Sequence, residues 1–428
     1  MTAATRPMTT TPEAVFHLLH QRRGAVWLDG GQSKEGWSII AFDPSEIVTN
    51  GHNWPRVGRY LTTKKTRLEA SRAGDTPFAG GCLGYVGYGA GHYVDRVPPG
   101  PPSDEPEIWL GRFDGGMCYR HCDQTWHVAG ASSFCRTAEQ LIAAAEEIGE
   151  PEAAVRPKSV KSSIERDSYE EAVGLILTWL EGGDCYQINL TRAITACGVG
   201  NPWPAYRRLR RISGASHGAF IQLGERAVLS NSPELFMKVR GRRFLSDPIK
   251  GTRPRHDNPE EDRRLSQELL RSQKDQAELT MIVDLVRNDM GRVAAAGTVR
   301  VQPRCVTAHA NVHHTSQIVE ALLDDAHDAW SALGAAFPPG SVTGAPKTRA
   351  CRRIAELEAA PRGVYCGMIG YVADGGDATW SVAIRTALWK GNQVRFHVGG
   401  GIVAASDPSE EWNETVDKGR AMARAFCG

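Results

Sequence analysis

The chain has 428 residues, 41% of them hydrophobic and 23% charged, with 50 Lys and Arg against 49 Asp and Glu. A net charge of +1 offers no electrostatic footprint for nucleic acid or for an anionic membrane, and neither is expected as a partner. No apolar run approaches the length of a membrane span and the start lacks a signal-peptide core; ten scattered cysteines without a CxxC pair read as reduced thiols of a cytoplasmic protein.

Residues 1–12 are small and polar and are expected to be disordered. Residues 13–150 form a first, strand-rich part. It begins with a helix over Pro12–Arg22 and continues with strands at 25–29 and 37–42 around Gly30-Gly31. Phe78–Tyr88 threads four glycines among apolar residues without a following helix, so it reads as a strand closely approached by another backbone rather than as a phosphate loop. Val97–Glu107, with five prolines, is a loop; 108–110 and 117–119 are strands, and 132–148 is a helix. Residues 151–163, rich in Pro, Lys, Ser and Glu, read as a linker.

The remaining part, 164–428, carries the chemistry. Ser168 with Glu171 forms a capping box ahead of Val173, Ile176, Leu177 and Leu180 at helical spacing. A strand over 185–191, a helix over 203–212 and a hairpin over 220–230 follow, leading to Glu234 at a strand end. Asp247–Arg255 then places Lys250 on a stiff turn between prolines, next to Gly251, Thr252, Arg253 and Arg255. Nearby cations lower a lysine pKa and make the amine a better nucleophile, although an isolated segment of this kind is more often a basic surface loop.

Pro259–Asp289 is expected to be one long helix, with Glu278 on an otherwise apolar stripe where a carboxylate is costly unless paired or bound to a cation. His313 and His314, adjacent in a strand, must point to opposite faces. Pro338–Thr348 is not a nucleotide loop, because Gly344 is followed by Ala345-Pro346. Arg385, within an apolar strand, needs an anion from protein or substrate. A strand over 393–398 ends at Gly399-Gly400-Gly401, and Asp407 caps a helix presenting Glu411, Glu414 and Lys418 on one face. That trio is either a surface ion pair or a set of carboxylates for a hard cation such as Mg²⁺, with Lys418 left for a substrate anion.

The ordered motifs GDCYQINL, SPELF, DPIKGTRPR, AELTMIVDLVRND, VHHTS, PPGSVTGAPK, YCGMIGY, SVAIRT and GGGIVAASDPSEEWNET resemble those of the chorismate-utilising enzymes. Within that group the chain resembles the aminodeoxychorismate synthases, component I. The anthranilate synthases are the alternative; they usually carry alanine at the position of Lys250. The resemblance implies an α+β fold of large antiparallel sheets packed as a sandwich with helices outside, and 164–428 as the chorismate-binding catalytic part. It implies Lys250, Glu234 and His313 as catalytic residues. Thr252, Thr343, Tyr365, Arg385, Gly399, Gly400, Gly401 and Lys418 would bind substrate, and Glu278, Glu411 and Glu414 would hold Mg²⁺. It also implies chorismate as substrate and a separate glutamine amidotransferase subunit as the ammonia source. Leu28-Asp29-Gly30-Gly31 stands where anthranilate synthases have a Leu-Leu-Glu-Ser type element, so tryptophan control is not implied.

Overall fold

Alternating apolar positions along the strands bury two faces, and the chain satisfies both by stacking sheet on sheet and covering the outside with helices. The computed structural model describes residues 4–428 apart from 8–9, 32–35, 50–53, 55–56, 59–60, 62–75, 95, 100–102 and 309–311. Part of the proline-rich loop of 97–107 therefore lies outside the described residues.

A twelve-stranded sheet starts at Ala4–Pro7 and passes through the 115–130 hairpin, Trp37–Ala41 and Val26–Asp29. It continues through His217–Gln222, Arg226–Ser232 and Thr386–Lys390, and ends with Gln393–Ile402, Gln187–Cys197 and Gly344–Ala345. A nine-stranded sheet includes Leu235–Arg240, Ala378–Val382, Met368–Ala373, Gly81–Val86 and Ile108–Phe113. Between the sheets lie Val26, Ile39, Leu83, Tyr85, Trp109, Ile221, Val228, Ile369 and Leu388. The other face of the larger sheet packs on helices through Trp203, Tyr206, Phe396 and Phe426, and the smaller sheet does the same through Phe236, Trp380, Trp330 and Leu279.

Both sheets mix strands from before residue 150 and after residue 164, so these two stretches fold as one interleaved body. Val26–Asp29, for example, pairs with Ile221–Gly218. Four expectations are corrected here. Ala4–Pro7, expected to be disordered, pairs with Thr125–Val128, because an open sheet edge offers free backbone groups to any neighbouring segment. Ser159–Ser162, inside the expected linker, pairs with Ile194–Cys197 for the same reason. The long helix is two, Pro259–Arg271 and Gln273–Gly291, divided at Ser272, whose hydroxyl accepts from Asp275 N at 3.2 Å. The helix assigned to the capping box begins earlier, at Arg166.

Candidate active site

Lys250 lies in a strand, Ile249–Pro254, rather than on a turn. It pairs with Val312–Ser316 in a small three-stranded sheet. Lys250 opposes Thr315 and Thr252 opposes His314, so Gly251 is an extra residue without an opposite number. This bulge re-aims the side chain before it. Gly251 has φ +74°, and a Cβ there would come within 2.8 Å of Asp275 and Leu269. Only glycine fits.

The bulge delivers Lys250 into a cleft of ≈650 Å³ at one end of the sandwich. The same cleft is lined by Glu234, Thr252, Glu278, Tyr365, Arg385, Gly399, Gly401, Glu411, Glu414 and Lys418, which the chain brings together from more than 180 positions of sequence. Lys250 is half-buried, and among the described residues its ammonium makes no ion pair. Burial lowers its pKa; the charge of Lys418 acts in the same direction, against Glu278, Glu234 and Glu414. The lowering expected from Arg253 and Arg255 has a different source, since both arginines are turned to Glu268 and Asp262. Glu234 is 5% exposed. Burial pushes its carboxyl up to about 7, with Ser341 and Lys250 pulling the other way. The cleft thus holds an amine whose charged form is disfavoured together with an acid that keeps its proton near neutral pH.

Arg385 has a left-handed backbone, φ +49°, which is uncommon outside glycine, and its side chain has no anionic partner among the described residues. Burial alone lowers its pKa. A half-buried guanidinium without a counter-ion is suited to a ligand carboxylate.

Three expected site residues are elsewhere. His313 faces away from the cleft, where Nε2 meets Asp262 Oδ1 at 2.8 Å; the strand's alternation sends His314 to the cleft wall instead, with Nδ1 3.0 Å from Thr252 Oγ1. Thr343 is fully buried and spends its hydroxyl on Pro339 O at 3.1 Å, so Ser341 and Val342 of that turn line the cleft. Gly400 points to the helix Pro408–Cys427, where a Cβ would be 2.9 Å from Glu411 Oε2 and 3.4 Å from Glu414 Oε1. The glycine gives these carboxylates room. Lys418 is committed to protein groups, Glu414 at 2.5 Å and Gly399 O at 3.1 Å.

For a metal, no three His, Cys, Asp or Glu side chains among the described residues are gathered closely enough to hold an ion. The donor chemistry nevertheless fits a hard dication. Glu411 accepts Ser406 Oγ at 2.6 Å through Oε1, while its buried Oε2 has no partner. Burial, together with the neighbouring charge of Glu414, raises the Glu411 pKa. An oxygen-only cation is the ligand that relieves both conditions.

His397 was not anticipated. It stands in an apolar strand, and only its contacts bring it to notice: it lines the cleft and stacks on Tyr365.

Component 1 of the aminodeoxychorismate synthase of Salmonella typhimurium is 38% identical over 80% of this chain and 76% of its own length. Component 1 of the anthranilate synthase of Streptomyces coelicolor is 36% identical over 94% of this chain and 82% of its own length. The crystal structure of anthranilate synthase component I from Streptococcus pneumoniae superimposes with a TM-score of 0.80 at 27% identity, covering 90% of this chain and 92% of that one. The chorismate binding enzyme family matches residues 23–424, nearly the whole sandwich and all of the cleft, and the chain belongs to that family.

Proposed function

We propose that this chain is component I of an aminodeoxychorismate synthase, converting chorismate and ammonia to 4-amino-4-deoxychorismate and water. The observation that carries this reading is the meeting in one cleft of Lys250, whose charge is disfavoured, and Glu234, protonated up to about pH 7. Neutral Lys250 forms a bond from Nζ to C2 of the ring as the double bond shifts. The C4–O bond breaks, and the oxygen leaves as water with the proton of Glu234. Ammonia then bonds to C4, the C2–Nζ bond breaks, and the Glu234 carboxylate takes the proton shed by the new ammonium. Lys250 and Glu234 return to their starting states, and the enolpyruvyl group stays on the ring.

Arg385 binds a substrate carboxylate in forked geometry, beside the backbone of Gly399 and Gly401 and the ring of Tyr365. Mg²⁺, when bound, would be held by Glu278, Glu411 and Glu414, and supplies positive charge for a ring carboxylate. Ammonia is supplied by a separate glutamine amidotransferase subunit, in keeping with the component naming of the relatives. Among the described residues no helix is long and apolar enough to cross a membrane, and the cytoplasm is the compartment we assign.

Incubating the purified chain with chorismate, Mg²⁺ and ammonium, and weighing the products, tests the proposal. A product in which amine replaces hydroxyl with the enolpyruvyl group retained is expected. Release of pyruvate with a fluorescent aromatic acid would establish the second reading, an anthranilate synthase, which the similarity to the Streptomyces coelicolor enzyme favours.

A further inference from the structure

No step above uses His397. It is 5% exposed in the strand Gln393–Ile402 and lines the cleft. Its ring lies nearly parallel to that of Tyr365, with centroids 5.2 Å apart and planes at 13°. Neither ring nitrogen has a hydrogen-bond partner among the described residues. Leaving such a group unmet is costly, and an aliphatic residue in the same strand would not incur that cost.

The surroundings indicate what could meet it. Two residues back on the same strand face, Arg395 pairs with Glu105. Glu105 lines a second cavity of ≈340 Å³ together with Glu358, Arg362 and Gly363. Arg362 leads directly into the Tyr365 turn, its carbonyl accepting from Tyr365 N at 3.1 Å. Tyr365 and His397 both line the cleft, while the nearby Arg362 and Arg395 meet the carboxylates Glu358 and Glu105, which line the second cavity. The charges facing the imidazole are those of Arg395 and Arg362; with burial as the larger cause, they hold its pKa down to about 3. The ring stays neutral, with one donor and one lone pair.

We infer that neutral ammonia binds at the part of the cleft wall formed by Tyr365 and His397, and that the unprotonated ring nitrogen of His397 accepts a hydrogen bond from one of its N–H groups. This rests on the proposed use of ammonia by the chain. A hydrogen bond made through N–H leaves the ammonia lone pair free for carbon. The binding step consumes no proton.

The test is steady-state kinetics of the full chain with ammonium as the varied substrate at fixed pH. His397→Leu should raise the KM for ammonia at least tenfold and leave the KM for chorismate within twofold. His397→Asn, which keeps a donor and an acceptor, should recover most of the loss and serves if the leucine variant does not fold. An unchanged KM for ammonia in the asparagine and leucine variants would overturn the inference. A parallel rise in the chorismate KM would also overturn it, by moving His397 to the substrate carboxylates. If the wild-type chain aminates chorismate at C2 instead of C4, the functional reading fails while this test still stands. If it consumes no ammonia at all, both fail.

Discussion

Two lysines in this protein have opposite fates. Lys347 is 3% exposed and is closed off by Asp289 at 2.5 Å and by the carbonyl of Ala336. Lys250 faces the cleft with no ion-pair partner among the described residues. Two arginines repeat the contrast. Arg362 is held by Glu358 at 2.7 Å and by the carbonyls of Val342 and Asn189, each at 2.9 Å, whereas Arg385 has no anion. Arg362 ties Val342 to Asn189 on the cleft wall, and Lys347 ties Asp289 to the carbonyl of Ala336; Lys250 and Arg385 have a charge to offer a ligand. Charge type does not separate the two groups, and the paired members are the more deeply buried. What separates them is whether the protein itself has supplied the counter-ion.

The comparison would break if removing an unpartnered charge harmed stability more than turnover. The largest effect is expected at Lys250. Lys250→Ala should lower kcat on the order of 10³-fold with little change in the chorismate KM and with a melting temperature at or above wild type. A mass shift on a Lys250 peptide should be trappable in the wild type only. Near-normal kcat in the variant, with no adduct, would end the covalent mechanism.

Glu234→Gln should cost about 10²–10⁴-fold in kcat and remove the alkaline limb of the pH profile. In the wild type that limb falls as pH rises through about 7, because the acid is then spent. The stability sign runs the same way. The folded pKa, about 7, lies above the unfolded 4.5, so the contribution is full below 4.5 and lost as pH rises to 7. Glu234→Gln should therefore match wild type in unfolding free energy near pH 4 and exceed it at pH 8 by on the order of 3 kcal/mol. Equal melting at both pH values would place the carboxyl in water.

Glu414→Ala should abolish turnover at low Mg²⁺ with either ammonium or glutamine and partner as nitrogen source; near-normal activity there would remove the metal assignment. Arg385→Lys should raise the chorismate KM roughly tenfold, since an ammonium cannot reproduce a forked contact, while thermal melting stays unchanged. The smallest effect on chemistry and the largest on folding should come from Lys347→Met. Leaving Asp289 with only Arg96, at 3.9 Å, should cost up to about 3–5 kcal/mol in denaturant titration, and Asp289→Asn in the same chain should restore part of it. A stable Lys347→Met enzyme with a raised chorismate KM would place Lys347 with the ligand-facing charges instead.

The sequence alone determined a good deal. The ordered motifs were sufficient to identify the family, the α+β sandwich and most of the cleft. Period-two alternation required His313 and His314 to part company. Tertiary structure alone decided which of them meets the cleft, because that depends on the register of Val312–Ser316 against Ile249–Pro254 and on Asp262 waiting in the neighbouring helix. Thr343 shows the same limit: a hydroxyl in a motif is satisfied by whichever acceptor is nearest in space, here the carbonyl of Pro339. His397 lies further out of reach. Nothing in Phe396-His397-Val398 signals a site, and its role emerges only from Tyr365 laid against it and Arg362 brought alongside. Local pattern fixes the face on which a side chain emerges; what that face meets is set by residues distant in sequence, through register and packing.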